Sequence, residues 1–341
     1  MNSLKQELKE YAEKIGIDLF GVTTTEPFLR YLEELETRKE HYIERYSHRI
    51  DRWKRLTHPR KVLKDAKAVI SIGFYYYTDD KEPKGLYGKI GRIVSYGHLE
   101  IFKRALLIVD FLKGKGYKAV MGLHRKEAAQ RAGLGYIGKN GLVINDKYGS
   151  WVAYQSIVTN AEIDFDKPYE GEECGKCEIC MNSCPTSAIY EPHRINPKRC
   201  ISYLLTSENI PSEFEEKTGN YLLGCDVCQE ICPKNKGLKP KEKIEPLLPP
   251  FLGSYPPLKK VLELTEKEFK AKVMGYIFKR TPIPPLAKYK WIRQIFKVLE
   301  RLKILKGSEA IPETFIHASD DLRIYKRSAM LAIKNIEKGN K

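Results

Sequence analysis

The chain has 341 residues and carries 60 Lys and Arg against 44 Asp and Glu, a net charge of +16. That length exceeds one ordinary domain of about 100 to 200 residues. The charge favours a polyanionic partner, nucleic acid first, with a Lys- and Glu-rich ion-paired exterior as the structural alternative. No stretch reaches the about 18 apolar residues of a membrane span, and the opening MNSLKQELKEYAEKIG has no basic patch followed by an apolar core. The expectation is a cytoplasmic protein without a membrane.

In chain order, Leu4, Leu8, Tyr11, Ala12 and Ile15 recur at helical spacing behind a capping Ser3, and Gly16 then leads into a short apolar run, IDLFGV. These predict a helix and a strand. Residues 28–65 are charged and read as helical, and AKAVISIGFYYY at 66–77 reads as a buried strand. Helices are expected over 102–116 and 124–133, and a strand-rich stretch over 142–158. Between them lies AGLGYIGKNG, residues 132–141, which spells both G-x-G-x-x-G and a P-loop with Asn140 where Ser or Thr belongs. Both phosphate loops need a strand before the glycines and a helix after, because the helix N-terminus holds the phosphate. Here the order is reversed, so a nucleotide site is not expected.

From Asp164 to about Pro240 the composition turns to Cys, Glu, Pro and Gly. A Pro-rich linker, EPLLPPFLGSYPP, and a basic helical region follow. The division is therefore 1–165, 166–240 and 241–341, in an α+β protein. Within the last part, seven basic residues between Lys288 and Lys306 flank an apolar stripe of Trp291, Ile295, Val298, Leu302 and Leu305. This predicts an amphipathic helix whose positive face meets phosphate or, on the alternative reading, water.

All eight cysteines lie between Cys174 and Cys232, a clustering that points to metal rather than to a disulfide scaffold. Cys174, Cys177, Cys180 and Cys184-Pro form the C-x2-C-x2-C-x3-C-P run of bacterial ferredoxins, in which three thiolates hold one [4Fe-4S] cluster and the fourth crosses to another. Cys225, Cys228 and Cys232-Pro are the tail of a second run, and the isolated Cys200 supplies its missing member. The expected ligand sets are Cys174, Cys177, Cys180 and Cys232 on one cluster, and Cys184, Cys200, Cys225 and Cys228 on the other. A pair of zinc sites is the alternative.

The eight-cysteine layout, HPRKVLKDAKAVISIGFYYY, AGLGYIGKNGLVIN, YGSW at 148–151 and RCISYLLT around Cys200 together resemble the epoxyqueuosine reductases. VMGYIFKRTPI at 273–283 and the final IHASDDLRIYKRSAMLAI resemble that family's basic segment and a HEAT-like helical tail. The resemblance implies a nitroreductase-like corrinoid-binding domain over 1–165, a ferredoxin-like module with two [4Fe-4S] clusters over 166–240 and a basic helical C-terminal region over 241–341. It implies base-off cobalamin, since no D-x-H-x-x-G is present to supply a histidine to cobalt. Gly133, Gly135, Lys139, Asn140, Gly149, Ser150, Ser202 and Tyr203 would line its pocket.

The implied activity is reduction of epoxyqueuosine to queuosine in the tRNA anticodon loop by a monomer, with electrons from a flavodoxin or ferredoxin. A corrinoid reductase acting on another substrate (dehalogenase-like or corrinoid-reactivating) and a ferredoxin-type electron carrier are the alternatives. Two departures stand out. Arg125 occupies the position where the resemblance places a carboxylic acid as proton donor, and arginine stays protonated. His124 and Glu127 are the nearby candidates for the catalytic acid. At 96–106 the family's Asp-Tyr-His is reduced to His98.

Overall fold

A computed structural model describes residues 3–38, 40, 50–51, 53–122, 124–205, 207, 210–242, 244–246, 249–268, 272 and 322–338. The segment 273–283, the basic stripe at 288–306 and the start of the helical tail before Leu322 lie outside the described residues. The chain divides into two compact units. One comprises Met1–Asp79, Tyr96–Leu204 and Cys225–Ile244; the other comprises Asp80–Ser95, Leu205–Gly224 and Glu245–Lys341.

The first unit is built on a four-stranded antiparallel sheet. Its strands are β1 (Leu19–Thr23), β2 (Ala68–Tyr75), β4 (Ala119–Met121) and β7 (Val152–Thr159), in the order β1-β2-β7-β4. The two central strands pair over their full length, from Ala68 opposite Thr159 to Tyr75 opposite Val152, and every residue of both is buried. A strand covered on both faces reads as a continuous apolar run rather than an alternating one, which is the pattern of AVISIGFY. Helix α1 (Leu4–Lys14) begins where expected, the Ser3 hydroxyl accepting the Gln6 backbone N–H at 3.3 Å and so satisfying one orphan donor.

The long helix predicted from residue 102 starts earlier, at His98, and runs to Gly114. A five-residue π-helical turn, Ile93–Gly97, leads into it, and such a turn leaves no 3.6-residue signature in the sequence. This helix and the short helix Arg125–Arg131 lie against the central strands. Ala128 of the short helix joins Phe28, Ala66, Val69 and Val158 in one buried cluster.

The second unit contains a parallel pair, β3 (Lys89–Ile90) with β8 (Tyr221–Leu223), and the helices Leu258–Glu263 and Leu322–Glu337. The fully buried Asn335 side chain donates to the Gly219 carbonyl at 2.7 Å and to the Glu215 carbonyl at 3.1 Å, which fixes the long helix to the turn before β8. Among the described residues no helix is long and apolar enough to cross a membrane.

Candidate metal centre and the loop that braces it

The cysteines sit on tight turns that two short helices, Ile179–Asn182 and Val227–Glu230, carry toward each other. All eight thiols are free. Their mutual influence sorts them. Burial first, then Cys232, Cys174 and Cys177, pushes the Cys180 thiol up to about 11, and burial with Cys174 and Cys177 raises Cys232. Burial, then Cys184, raises Cys200; burial, then Cys200 and Cys184, raises Cys225; burial, then Cys225 and Cys200, raises Cys228. One weak influence crosses between the groups, from Cys180 to Cys228.

Thiols crowded in this way resist ionising together, and an electropositive iron–sulfur core removes that resistance by binding them as thiolates. Backbone N–H groups are already aimed at several sulfurs: Ser202 and Tyr203 at Cys200, Val227 at Cys225, and Lys234 and Asn235 at Cys232. The donor set therefore fits iron–sulfur clusters. Among the described residues no group of three or more His, Cys, Asp or Glu is arranged to hold a bare ion. A single zinc draws its sulfurs to about 2.3 Å from one point, whereas a cube takes each thiolate at a separate iron.

The glycine loop follows the helix Arg125–Arg131 and precedes β5 (Tyr136–Ile137) and β6 (Val143–Ile144). Helix then strand is the wrong order for either phosphate motif. Gly133 has φ +75° and Gly135 has φ +144°; a Cβ on Gly135 would stand 2.3 Å from the Ile144 carbonyl oxygen, so the close approach of the two backbones requires glycine. That approach sets Tyr136 opposite Ile144 and sends its ring inward. The Tyr136 hydroxyl lies 3.9 Å from Cys174 Sγ.

At the other end of the loop, Asn140 is buried, donates from Nδ2 to the Cys228 carbonyl at 3.4 Å and accepts the Leu142 N–H at 3.1 Å. Lys139 stands 3.9 Å from Glu178, and its carbonyl accepts the His193 N–H at 3.0 Å. The ten residues thus touch both cysteine groups. Gly149, at φ +56°, and Ser150 belong to a third contact. A Cβ on Gly149 would fall 2.0 Å from Asn235 Oδ1, which accepts the Ser150 N–H at 2.8 Å.

The first turn of the helix Arg125–Arg131 divides its side chains. His124 is buried between the Phe28 and Tyr31 rings, centroids 5.3 and 4.4 Å away. Burial lowers its pKa to about 4, partly opposed by the Leu56 backbone. Glu127 accepts the Tyr31 N–H at 3.1 Å, capping helix α2 (Leu29–Thr37), and burial raises its pKa against the pull of Arg131 and Arg30. Arg125 and Lys126 have other neighbours. Burial lowers Arg125 to about 10, and burial followed by the Arg125 charge lowers His98 to about 3.

Lys126 Nζ donates to the Gly141 carbonyl at 2.5 Å. Burial, Arg125 and Arg38 lower its pKa, while Cys228 and Cys200 raise it. Lys126 is nonetheless exposed, so this cation stands at the surface within the influence of Cys228 and Cys200. Lys126, Tyr136 and Asn235 escaped the sequence reading. Tyr136 lay in plain view inside the glycine motif.

An α+β scaffold carrying eight free thiols on neighbouring turns defines an iron–sulfur protein, and residues 173–235 match the family described as a 4Fe-4S double cluster binding domain. The epoxyqueuosine reductase of Bacillus subtilis is 34% identical over 290 residues, 79% of this chain and 73% of the relative; that of Staphylococcus aureus is 33% identical over 78% and 73%. The solved epoxyqueuosine reductase of Streptococcus thermophilus superposes with a TM-score of 0.73 at 26% identity, covering 98% of this chain and 82% of that one. An epoxyqueuosine reductase bound to an epoxyqueuosine-modified tRNA-Tyr stem loop gives 0.69 at 27% identity, covering 95% and 99%. The chain belongs to the epoxyqueuosine reductase family.

Proposed function

We propose that the protein reduces epoxyqueuosine to queuosine in tRNA, using two [4Fe-4S] clusters and base-off cobalamin, with electrons from a flavodoxin or ferredoxin. The observation that carries the reading is the pair of four-thiol groups joined by one glycine loop, in a chain of this family. Cys174, Cys177, Cys180 and Cys232 hold one cluster; Cys184, Cys200, Cys225 and Cys228 hold the other. Cobalamin supplies the two-electron chemistry that opens the epoxide. For that cofactor the proposed neighbourhood is the side that carries His98, Arg125 and Lys126 near Cys200 and Cys228. Gly133, Gly135, Lys139, Asn140, Gly149, Ser150, Ser202 and Tyr203 bound the same neighbourhood in this reading, and residues 1–165 form its nitroreductase-like part. The helical C-terminal region, HEAT-like in this reading, offers its basic residues to tRNA phosphates.

The departing oxygen takes a proton, and a positioned acid contributes about 10² to 10⁴ in rate. Of the two candidates, Glu127 is the one whose protonated form burial favours, while His124 is held neutral. Both, however, face helix α2 and not the side of Arg125 and Lys126, so in this reading neither is assigned as the acid. The test is to incubate reconstituted, cobalamin-loaded protein with epoxyqueuosine-containing tRNA and a low-potential reductant, then analyse the nucleosides. Queuosine is the expected product; none, with clusters and cobalamin intact, sinks the reading. A second reading keeps the same cofactors and changes the substrate, because Arg125 stands where the resemblance implies a carboxylic acid.

A further inference from the structure

We infer that Tyr136 sets the reduction potential of the cluster held by Cys174, Cys177, Cys180 and Cys232 through a hydrogen bond from its hydroxyl to Cys174 Sγ. The inference rests on the reading that these four thiols hold a [4Fe-4S] cluster. A phenol buried without a partner is costly, so a fully buried tyrosine reports what its hydroxyl has found. Tyr136 is 0% exposed. Its hydroxyl lies 3.9 Å from Cys174 Sγ, and among the described residues it has no second hydrogen-bond partner.

A free thiol can be donor or acceptor in such a pair. A cluster-bound thiolate has no proton to give, so the phenolic O–H must donate. Donation to a cluster sulfur favours the more negative, reduced state, and hydrogen bonds to the sulfurs are among the terms that set cluster potentials. In the second cysteine group, Cys184 Sγ meets the Thr186 hydroxyl at 3.6 Å and accepts the Ala188 N–H at 3.2 Å.

The surroundings hold the phenol still. Tyr136 is paired with Ile144 across β5 and β6, and the Gly135 backbone is pressed against Ile144 from the preceding position. Its ring packs on Tyr169, centroids 5.5 Å apart. The Tyr169 hydroxyl is occupied elsewhere, donating to Asp146 Oδ1 at 2.7 Å, so it does not compete for the sulfur. The glycine loop then has a purpose that neither phosphate motif suggested: it delivers one hydroxyl to one sulfur.

The experiment is an EPR-monitored redox titration of anaerobically reconstituted full-length protein, comparing wild type with Tyr136→Phe and Tyr169→Phe. Tyr136→Phe keeps the ring and removes the donor. The midpoint of one cluster is expected to fall so that its reduced-to-oxidised ratio at a fixed potential drops about tenfold, ~59 mV for a one-electron couple. The other cluster and the Tyr169→Phe protein stay at wild-type values. Should Tyr136→Phe fail to hold iron, Tyr136→3-fluorotyrosine, which keeps the shape and strengthens the donor, is expected to raise the same midpoint. Unmoved midpoints in a variant with full iron content overturn the inference, as do equal shifts of both clusters. A wild-type protein that binds no iron overturns instead the cluster reading beneath it.

Discussion

The Asn235 carboxamide accepts the Ser150 backbone N–H at 2.8 Å and donates to Ser150 Oγ at 2.9 Å and to the Gln229 carbonyl at 2.7 Å. One buried side chain thus ties the strand leading into β7 to the turn that carries Cys228 and Cys232. Ser150 Oγ in turn donates to Gln229 Oε1 at 3.1 Å, and the Tyr76 hydroxyl donates to the same oxygen at 3.2 Å, so the network is closed on every side. Asn235→Leu strips it of three bonds and leaves the Ser150 N–H buried without an acceptor. Each such group costs about 1–3 kcal/mol, and a loss of about 3 kcal/mol is expected in denaturant unfolding of the reconstituted protein. Asn235→Asp keeps the acceptor for Ser150 and should fall between. A Leu variant as stable as wild type would contradict this role.

Gly135→Ala is expected to be far worse than an ordinary glycine substitution. The added methyl meets a backbone oxygen at 2.3 Å, and neither the turn nor the β5–β6 pair can yield without moving Tyr136. Reconstitution of this variant should recover less iron in the first cluster, and its thermal midpoint should drop. Full iron content at an unchanged midpoint would mean that the loop is softer than its geometry.

Two histidines make stability depend on pH. Folded His124 takes its proton only at about 4 and His98 only at about 3, whereas an unfolded histidine takes it near 6.5. Between those limits the unfolded chain binds more protons, so stability rises with pH and is lost as pH falls from about 6.5 toward 4. Each histidine contributes about 1.4 kcal/mol per pH unit inside the window. His124→Phe, which suits the pocket of Phe28 and Tyr31, should reduce the slope of unfolding free energy between about pH 6 and 5 by one proton's worth. An unchanged slope would show that His124 titrates normally in the folded protein.

Much of the scaffold was legible because its signals are local. The all-apolar run at 68–75 could only be a covered strand, and Ser3 announced the first helix. The start of the second long helix was missed by four residues because the π-helical turn before His98 has no periodicity to read. The cysteine spacings are local too. What stayed hidden is what distant chain segments bring together: Tyr136 meets a sulfur 38 residues away, and Asn235 a backbone N–H 85 residues away. Nothing in AGLGYIGKNG says that its tyrosine is the member that reaches a cysteine sulfur. The helix Arg125–Arg131 shows the same limit, since sequence offsets alone did not tell that His124 and Glu127 would turn to helix α2 while Lys126 turned to Cys200 and Cys228.

The division of the thiols into two groups of four is tested most directly by EPR spin quantitation and iron content across paired cysteine variants. Cys180→Ala and Cys225→Ala should each abolish one reduced-cluster signal and about half of the iron. The account then predicts that Cys180→Ala with Cys232→Ala loses no more than Cys180→Ala alone, whereas Cys180→Ala with Cys225→Ala loses both signals. If the first pair emptied both sites, or the second pair spared one, the grouping would be wrong.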